Sequence, residues 1–285
     1  MDEGARDAGA RDAGARGEGL WLHAVTRAGG PDRPGGLTGV GGAAVRTVEA
    51  AGLAAVVSPV DLGRFDEDAL RRNLEDLAWL EEVARSHHAV VAALGAAGTV
   101  VPARLATVYH DAAGVRSMLA ERRTDLDATL SRLTGRTEWG VKMFSTPASA
   151  PAPAPATGRP GTEYLRRRRA QLSADDEWQQ RAAEGAEEIH SALEARAEAA
   201  RRHPPQDRRL TGRPEPMVLN AAYLVDERGS AGFTEAVAAH AGRHAELDVE
   251  LTGPWPPYSF TAAGDEPAAG DEPAAGEEPR ARGEP

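Results

Sequence analysis

His240 and His244 stand four residues apart in a stretch of helical periodicity, with Glu246 close behind, a set able to share a divalent metal. Ala241, Gly242 and Arg243 lie between them, without the glutamate of a zincin motif, and a histidine at a helix C-terminus is favoured by the helix dipole. The plainer reading is therefore a surface helix end, and a ferredoxin-like ligand- or metal-binding sensor or enzyme with a His-based site is the alternative function class. The chain has no cysteine, which excludes disulfides, thiolate metal sites and cysteine nucleophiles. Gly39-Val-Gly41-Gly-Ala-Ala44 fits the spacing of a dinucleotide loop, but that loop must leave a strand directly and open a helix. This one follows a long Gly/Pro loop and precedes β-branched residues, so it reads as a turn. His87 and His88 fall on opposite sides of one helix, so at most one is buried. No Ser/His/Asp set has a local signature, and no catalytic residue is assigned.

The more distinctive side chains are apolar. Trp255, Tyr258 and Phe260 sit among Pro254, Pro256 and Pro257, and Trp139 follows Glu138 on a segment of strand character. One role for such a segment is to seal the core or a groove between domains, and this is the favoured one. The other is to anchor a hydrophobic partner, where rigid aromatics bind at low entropic cost.

The elements that must hold these residues follow from periodicity. Leu20 to Thr26 reads as a strand, and Ala43 to Glu49 with Leu53 to Val57 as two more around Ala51-Gly52. Asp66 to Asp76, Leu77 to Leu94 and Asp111 to Leu133 are amphipathic helices, the last with Asp111 as N-cap and Gly135 beyond its end. Thr99 to Val101 and Glu138 to Phe144 are strands. The expectation is a ferredoxin-like α+β two-layer sandwich over residues 20–145, helices on one face of a mainly antiparallel sheet. A Pro/Ala spacer, 146–162, then leads to a smaller α+β domain, 163–261. That domain has a long helix, Glu163 to His203, a strand Met217 to Val225, a helix Phe233 to Arg243 and a strand Glu246 to Thr252 that prolines should end.

Residues 1–19 and 262–285 are short repeats without large apolar side chains, and both ends are expected to be disordered. Across 285 residues the net charge is −11, with seven carboxylates against two arginines between Gly264 and Pro285. This net acidic balance argues against nucleic acid, although Arg166 to Arg169 form a local basic cluster. That cluster reads as a solvated helix face or a site for an acidic partner. Lys142 is the single lysine. No stretch has the make-up of a signal peptide or membrane span, which points to a cytoplasmic protein.

Several motifs in order resemble one family: Trp79-Leu-Glu-Glu with the following His87-His88, Val101-Pro-Ala-Arg104, Thr107-Val-Tyr109, Glu138-Trp-Gly-Val-Lys142, Glu163-Tyr-Leu165, Leu219-Asn-Ala-Ala-Tyr-Leu-Val225 and Leu251-Thr-Gly-Pro-Trp-Pro-Pro-Tyr-Ser-Phe260. Together, from Leu20 to Phe260, they resemble the gas vesicle proteins GvpF and GvpL. The resemblance implies two α+β domains, the first ferredoxin-like. It also implies a non-enzymatic accessory role without a cofactor, located at gas vesicles. The partner implied is the hydrophobic shell protein GvpA, whose aggregation the protein would limit during vesicle nucleation. Arg104, Glu138 and Lys142 carry over as motif positions, and Trp139, Trp255, Tyr258 and Phe260 are the candidate contacts.

Overall fold

A computed structural model describes residues 17–30, 36–65, 73, 76–146, 160–206 and 208–261. Most of both repetitive ends, of the Pro/Ala spacer and of the first expected helix, Asp66 to Asp76, lies outside these residues.

The first sheet contains β1 (Glu18–Arg27), β2 (Arg46–Ala50), β3 (Leu53–Asp61), β4 (Val101–Pro102) and β5 (Val108–Tyr109). Its order is β2-β3-β1-β4, with β5 also on β1, and every pairing is antiparallel. Ala51 and Gly52 turn β2 into β3 with φ of 54° and 80°, the left-handed pair that a tight hairpin requires. After β3 come the short α1 (Leu62–Phe65) and α2 (Leu77–Ala97), capped by the Asp76 carboxylate accepting from the Ala78 and Trp79 amides. Asp111 caps α3 (Ala112–Glu121) by accepting from the Gly114 amide at 2.8 Å. The single helix expected over 111–133 is two, because the chain bends at Arg122 before α4 (Arg123–Leu133).

The helices of this part do not share one face. Leu20, Leu22, Ala55 and Val57 pack with α3 and α4, whereas Ala24 and Val56 pack with Val90, Val91 and Leu94 of α2. Covering both faces explains why Leu20 to Val25 is buried without alternation, as in strands that meet no water on either side.

The second sheet corrects the expectation more deeply. β6 (Arg136–Ser145), expected to close the first domain, is a central strand of the second sheet. There it pairs with β8 (Met217–Asp226) and β9 (Leu247–Trp255), and β7 (Ala199–Arg202) flanks β8. Between them run α5 (Pro160–Glu194), the short α6 (Arg208–Thr211) and α7 (Ser230–Ala241). The order β7-β8-β6-β9, with α5 and α7 as crossovers, is the βαββαβ ferredoxin-like arrangement. The first sheet has the same strand order, but a loop with a 3₁₀ turn, Val40–Gly42, replaces the first crossover helix. The expected long helix stops at Glu194, since Ala199–Arg202 is taken up as the β7 edge. β9 runs on through Pro254, which an edge strand tolerates here because it falls at an irregularity in the pairing with β6.

A polar cluster sits inside the first part. Trp21 Nε1 donates to His87 Nδ1 at 3.0 Å, the His87 ring stacks on His23 with centroids 5.3 Å apart, and His23 Nε2 lies 3.0 Å from Ser58 Oγ. Ser58 Oγ also donates to the Val40 carbonyl at 3.1 Å, tying the loop down. Gly39 of the glycine-rich loop lies so close that a Cβ there would stand 2.5 Å from Ser58 Cβ and 2.8 Å from His23 Nε2. The loop's first glycine is therefore a packing requirement. His87 is buried and His88 only partly so, as their places on one helix demand.

Burial lowers the His23 pKa to about 3, helped by repulsion from His87, and burial lowers that of His87 to about 4. Both rings are neutral in the fold but take up protons near pH 6.5 once unfolded, so stability rises with pH across this interval. Equilibrium denaturation should show stability falling from pH 6.5 towards pH 4, with His87 alone contributing on the order of 3 kcal/mol. A His87→Gln variant should show a flatter profile; an unchanged slope would separate the pH dependence from this ring.

A candidate contact surface at the aromatic-proline segment

β9 forms the sheet edge beside β6, and the residues after it turn out of the second sheet towards α2 and α4, through Tyr258 and Phe260. Gly253 makes this possible. Its φ is 125°, and a Cβ would lie 2.8 Å from the Glu138 carbonyl oxygen and 3.2 Å from the Trp139 ring. The chain then returns through a 3₁₀ turn, Tyr258–Phe260.

Glu138 receives that turn. Its Oε2 accepts from the Ser259 amide and its Oε1 from Ser259 Oγ, both at 2.7 Å. Burial pushes the Glu138 pKa up, and the two Ser259 hydrogen bonds oppose that rise. His203 Nε2, 3.2 Å from Ser259 Oγ, adds a tie from the loop after β7. Arg132 of α4 donates to the Phe260 carbonyl at 2.7 Å. The Phe260 ring is buried in one cluster with Leu126 and Leu130 of α4 and with Ala222 and Leu224 of β8.

The four candidate contacts are therefore unlike one another. Phe260 belongs to the core. Tyr258 is half-buried, its hydroxyl 3.2 Å from His88 Nδ1. Trp139 lies on the helix-covered face of β6, 6.4 Å from Phe233, and its indole N–H is buried without a partner. Trp255 is 43% exposed and stands edge-on over His88 at 5.4 Å. Beside it opens a cavity of about 540 Å³ walled by Ala92, Ala96, Val100 and Pro256 and also by Arg136 and Glu227. Two of the four, Trp255 and Tyr258, meet around His88, while Trp139 and Phe260 do not join them. The sequence carried no signal for His88, Arg132, His203 or Ser259 as partners, since their contacts span 56 to 170 residues.

The motif positions are also dispersed. Arg104 is exposed at the loop after β4, beside a different cavity, and Lys142 Nζ donates to Gln206 Oε1 at 2.9 Å. The histidines read as a possible metal pair are separately engaged. His240 contacts Arg243, while His244 Nδ1 lies 3.0 Å from Glu246 Oε1 and its Nε2 is 3.7 Å from Glu188. Among the described residues there is no group of three or more His, Cys, Asp or Glu placed to hold a metal. Nor is any helix there long and apolar enough to cross a membrane. Arg166, Arg168 and Arg169 are exposed on α5, next to the exposed Tyr164 and Leu165. The side chain of Arg167 is outside the described residues.

The fold and motifs have known counterparts. Residues 19–262 match the family model described as gas vesicle synthesis protein GvpL/GvpF. The chain is 44% identical over 255 residues to gas vesicle protein L of Streptomyces sp. (strain CB03234), an alignment covering 86% of this chain and 94% of that one. It is 26% identical over 254 residues to gas vesicle protein F of the same strain, covering 84% and 98%. Among solved structures, GvpF from Anabaena sp. PCC7120 superposes with a TM-score of 0.58 at 20% identity, over 87% of this chain and 98% of that one. The chain belongs to the GvpL/GvpF family of gas vesicle synthesis proteins.

Proposed function

We propose that this protein is a non-enzymatic assembly factor that binds the hydrophobic shell protein GvpA through the surface around Trp255 and limits its aggregation while a vesicle nucleates. Its place of action is then the cytoplasm and the growing vesicle. The observation that carries this reading is the exposed indole beside an open cavity whose lining is part apolar and part polar, on a chain of the gas vesicle family. A large exposed aromatic rimmed by rigid prolines is the form that binding hot spots take. Trp139, Tyr258 and Phe260 take the supporting part, holding the segment in place. Identity of 44% to protein L against 26% to protein F of the same strain supports an L-type role.

Co-expression tests this. With the wild type, GvpA should remain in the soluble fraction and be recovered on the tagged chain. Trp255→Ala should reduce recovery at least tenfold, the effect of removing a hot-spot side chain, with little change in thermal midpoint because the indole is exposed. Equal recovery would remove Trp255 from the contact, and no recovery by the wild type would remove the GvpA reading itself.

Phe260→Ala separates folding from binding. Loss of a fully packed phenyl ring should cost about 3–5 kcal/mol in denaturant unfolding. A loss below about 1 kcal/mol would show that the ring does not close the shared core.

A further inference from the structure

We propose that the cavity between the β4–β5 edge and the α3–α4 junction is a binding site for paired carboxylates, and that its occupant is the chain's own acidic C-terminal repeat. The cavity, about 360 Å³, is lined by Arg104, Tyr109, Met118, Arg122, Leu126 and Thr261 over a floor that includes Leu22 and Val25. Arg104 and Arg122 are exposed and, among the described residues, neither is ion-paired. Asp125 is the acid of the lining.

Thr261 is both part of this lining and the last residue before 262–285. From there the chain reads Ala262-Ala-Gly-Asp265-Glu266-Pro267. Two small apolar residues suit the floor, a glycine permits the turn, and two carboxylates follow to face the guanidinium groups. Four residues span up to about 14 Å, enough to place Asp265 against either arginine in a cavity of about 360 Å³. The unit recurs as Ala268 to Pro273 and, with Glu277 for Asp, as Ala274 to Pro279, so the tail presents the same ligand in three copies. Exposed ion pairs are individually weak, but a tethered ligand acts at millimolar effective concentration, and repetition multiplies it. The site accounts for two features that the proposed shell contact leaves unused: the Arg104 motif position and the periodic acidic tail.

Because Lys142 is the single lysine, the test is clean. Arg122→Lys in the full chain places one new amine in the cavity, and carbodiimide treatment joins amines to carboxylates in direct contact. Peptide mapping should find position 122 joined to a tail acid such as Asp265, Glu266, Asp271 or Glu272. The yield should fall at least fivefold in about 1 M salt, where the screening length is ~3 Å. Joining only to the neighbours Glu121 or Asp125, or joining of the tail to Lys142 instead, would overturn the assignment. A second measurement leaves both arginines in place. Neutralising Asp265, Glu266, Asp271, Glu272, Glu277 and Glu278 to their amides should speed hydrogen exchange of amides 103–109 about two- to fivefold. Unchanged exchange would equally overturn it.

Discussion

The second sheet has two apolar faces, and water cannot be left on either. Leu219, Ala221, Tyr223 and Val225 of β8 face α5 and α7, while Ala222 and Leu224, alternating with them, face the other way. What covers Ala222 and Leu224 is not part of the second βαββαβ unit. It is α4 of the first part together with Phe260 from the end of the chain, so the core beneath α3 and α4 is common to both sheets. Neither part buries its apolar surface alone, and the two are best regarded as one cooperative body. The aromatic-proline segment is the last piece of that burial and is placed by it.

This dependence explains why Glu138 beneath the segment is fully engaged, while the neighbouring Trp139 indole N–H has no partner. Glu138 is a buried carboxyl with a raised pKa, the kind of group that elsewhere acts as an acid catalyst. Here both of its oxygens are occupied by Ser259, whose hydroxyl is also met by His203. The buried His23 and His87 are similarly committed to Ser58 and Trp21. Each of these perturbed groups holds one element against another.

What the sequence made legible was local. The Ala51-Gly52 hairpin, the Asp111 cap, the Gly135 stop and most strands are set by residues within a few positions of each other, and they stand as expected. Sheet membership was not legible. Residues 136–145 read as a strand from either side, and only pairing with β8, some eighty residues later, assigns them to the second sheet. Proximity to the first half and the Pro/Ala spacer behind made the wrong assignment the natural one. The two-faced burial of the first sheet did leave a trace in the apolar run from Leu20 to Val25, which only His23 interrupts. At the candidate site the residue types were legible and the division of labour was not. Trp139, Trp255, Tyr258 and Phe260 share a composition and differ in depth, and depth is a property of the fold.

That gradation has a physical use. From Trp255 through Tyr258 to Phe260 the chain passes, within six residues, from exposed indole to fully packed phenyl. Pro254, Pro256 and Pro257 restrict the backbone between them, so little conformational entropy remains to be lost when the exposed end is engaged. The buried end supplies rigidity to the exposed one, since Phe260 cannot move without opening the core under both sheets. An aromatic presented on a loose loop would have to be ordered by each partner it met. Trp255 is ordered beforehand by the folding of the chain itself, and more of the free energy of covering it is then available to the proposed contact.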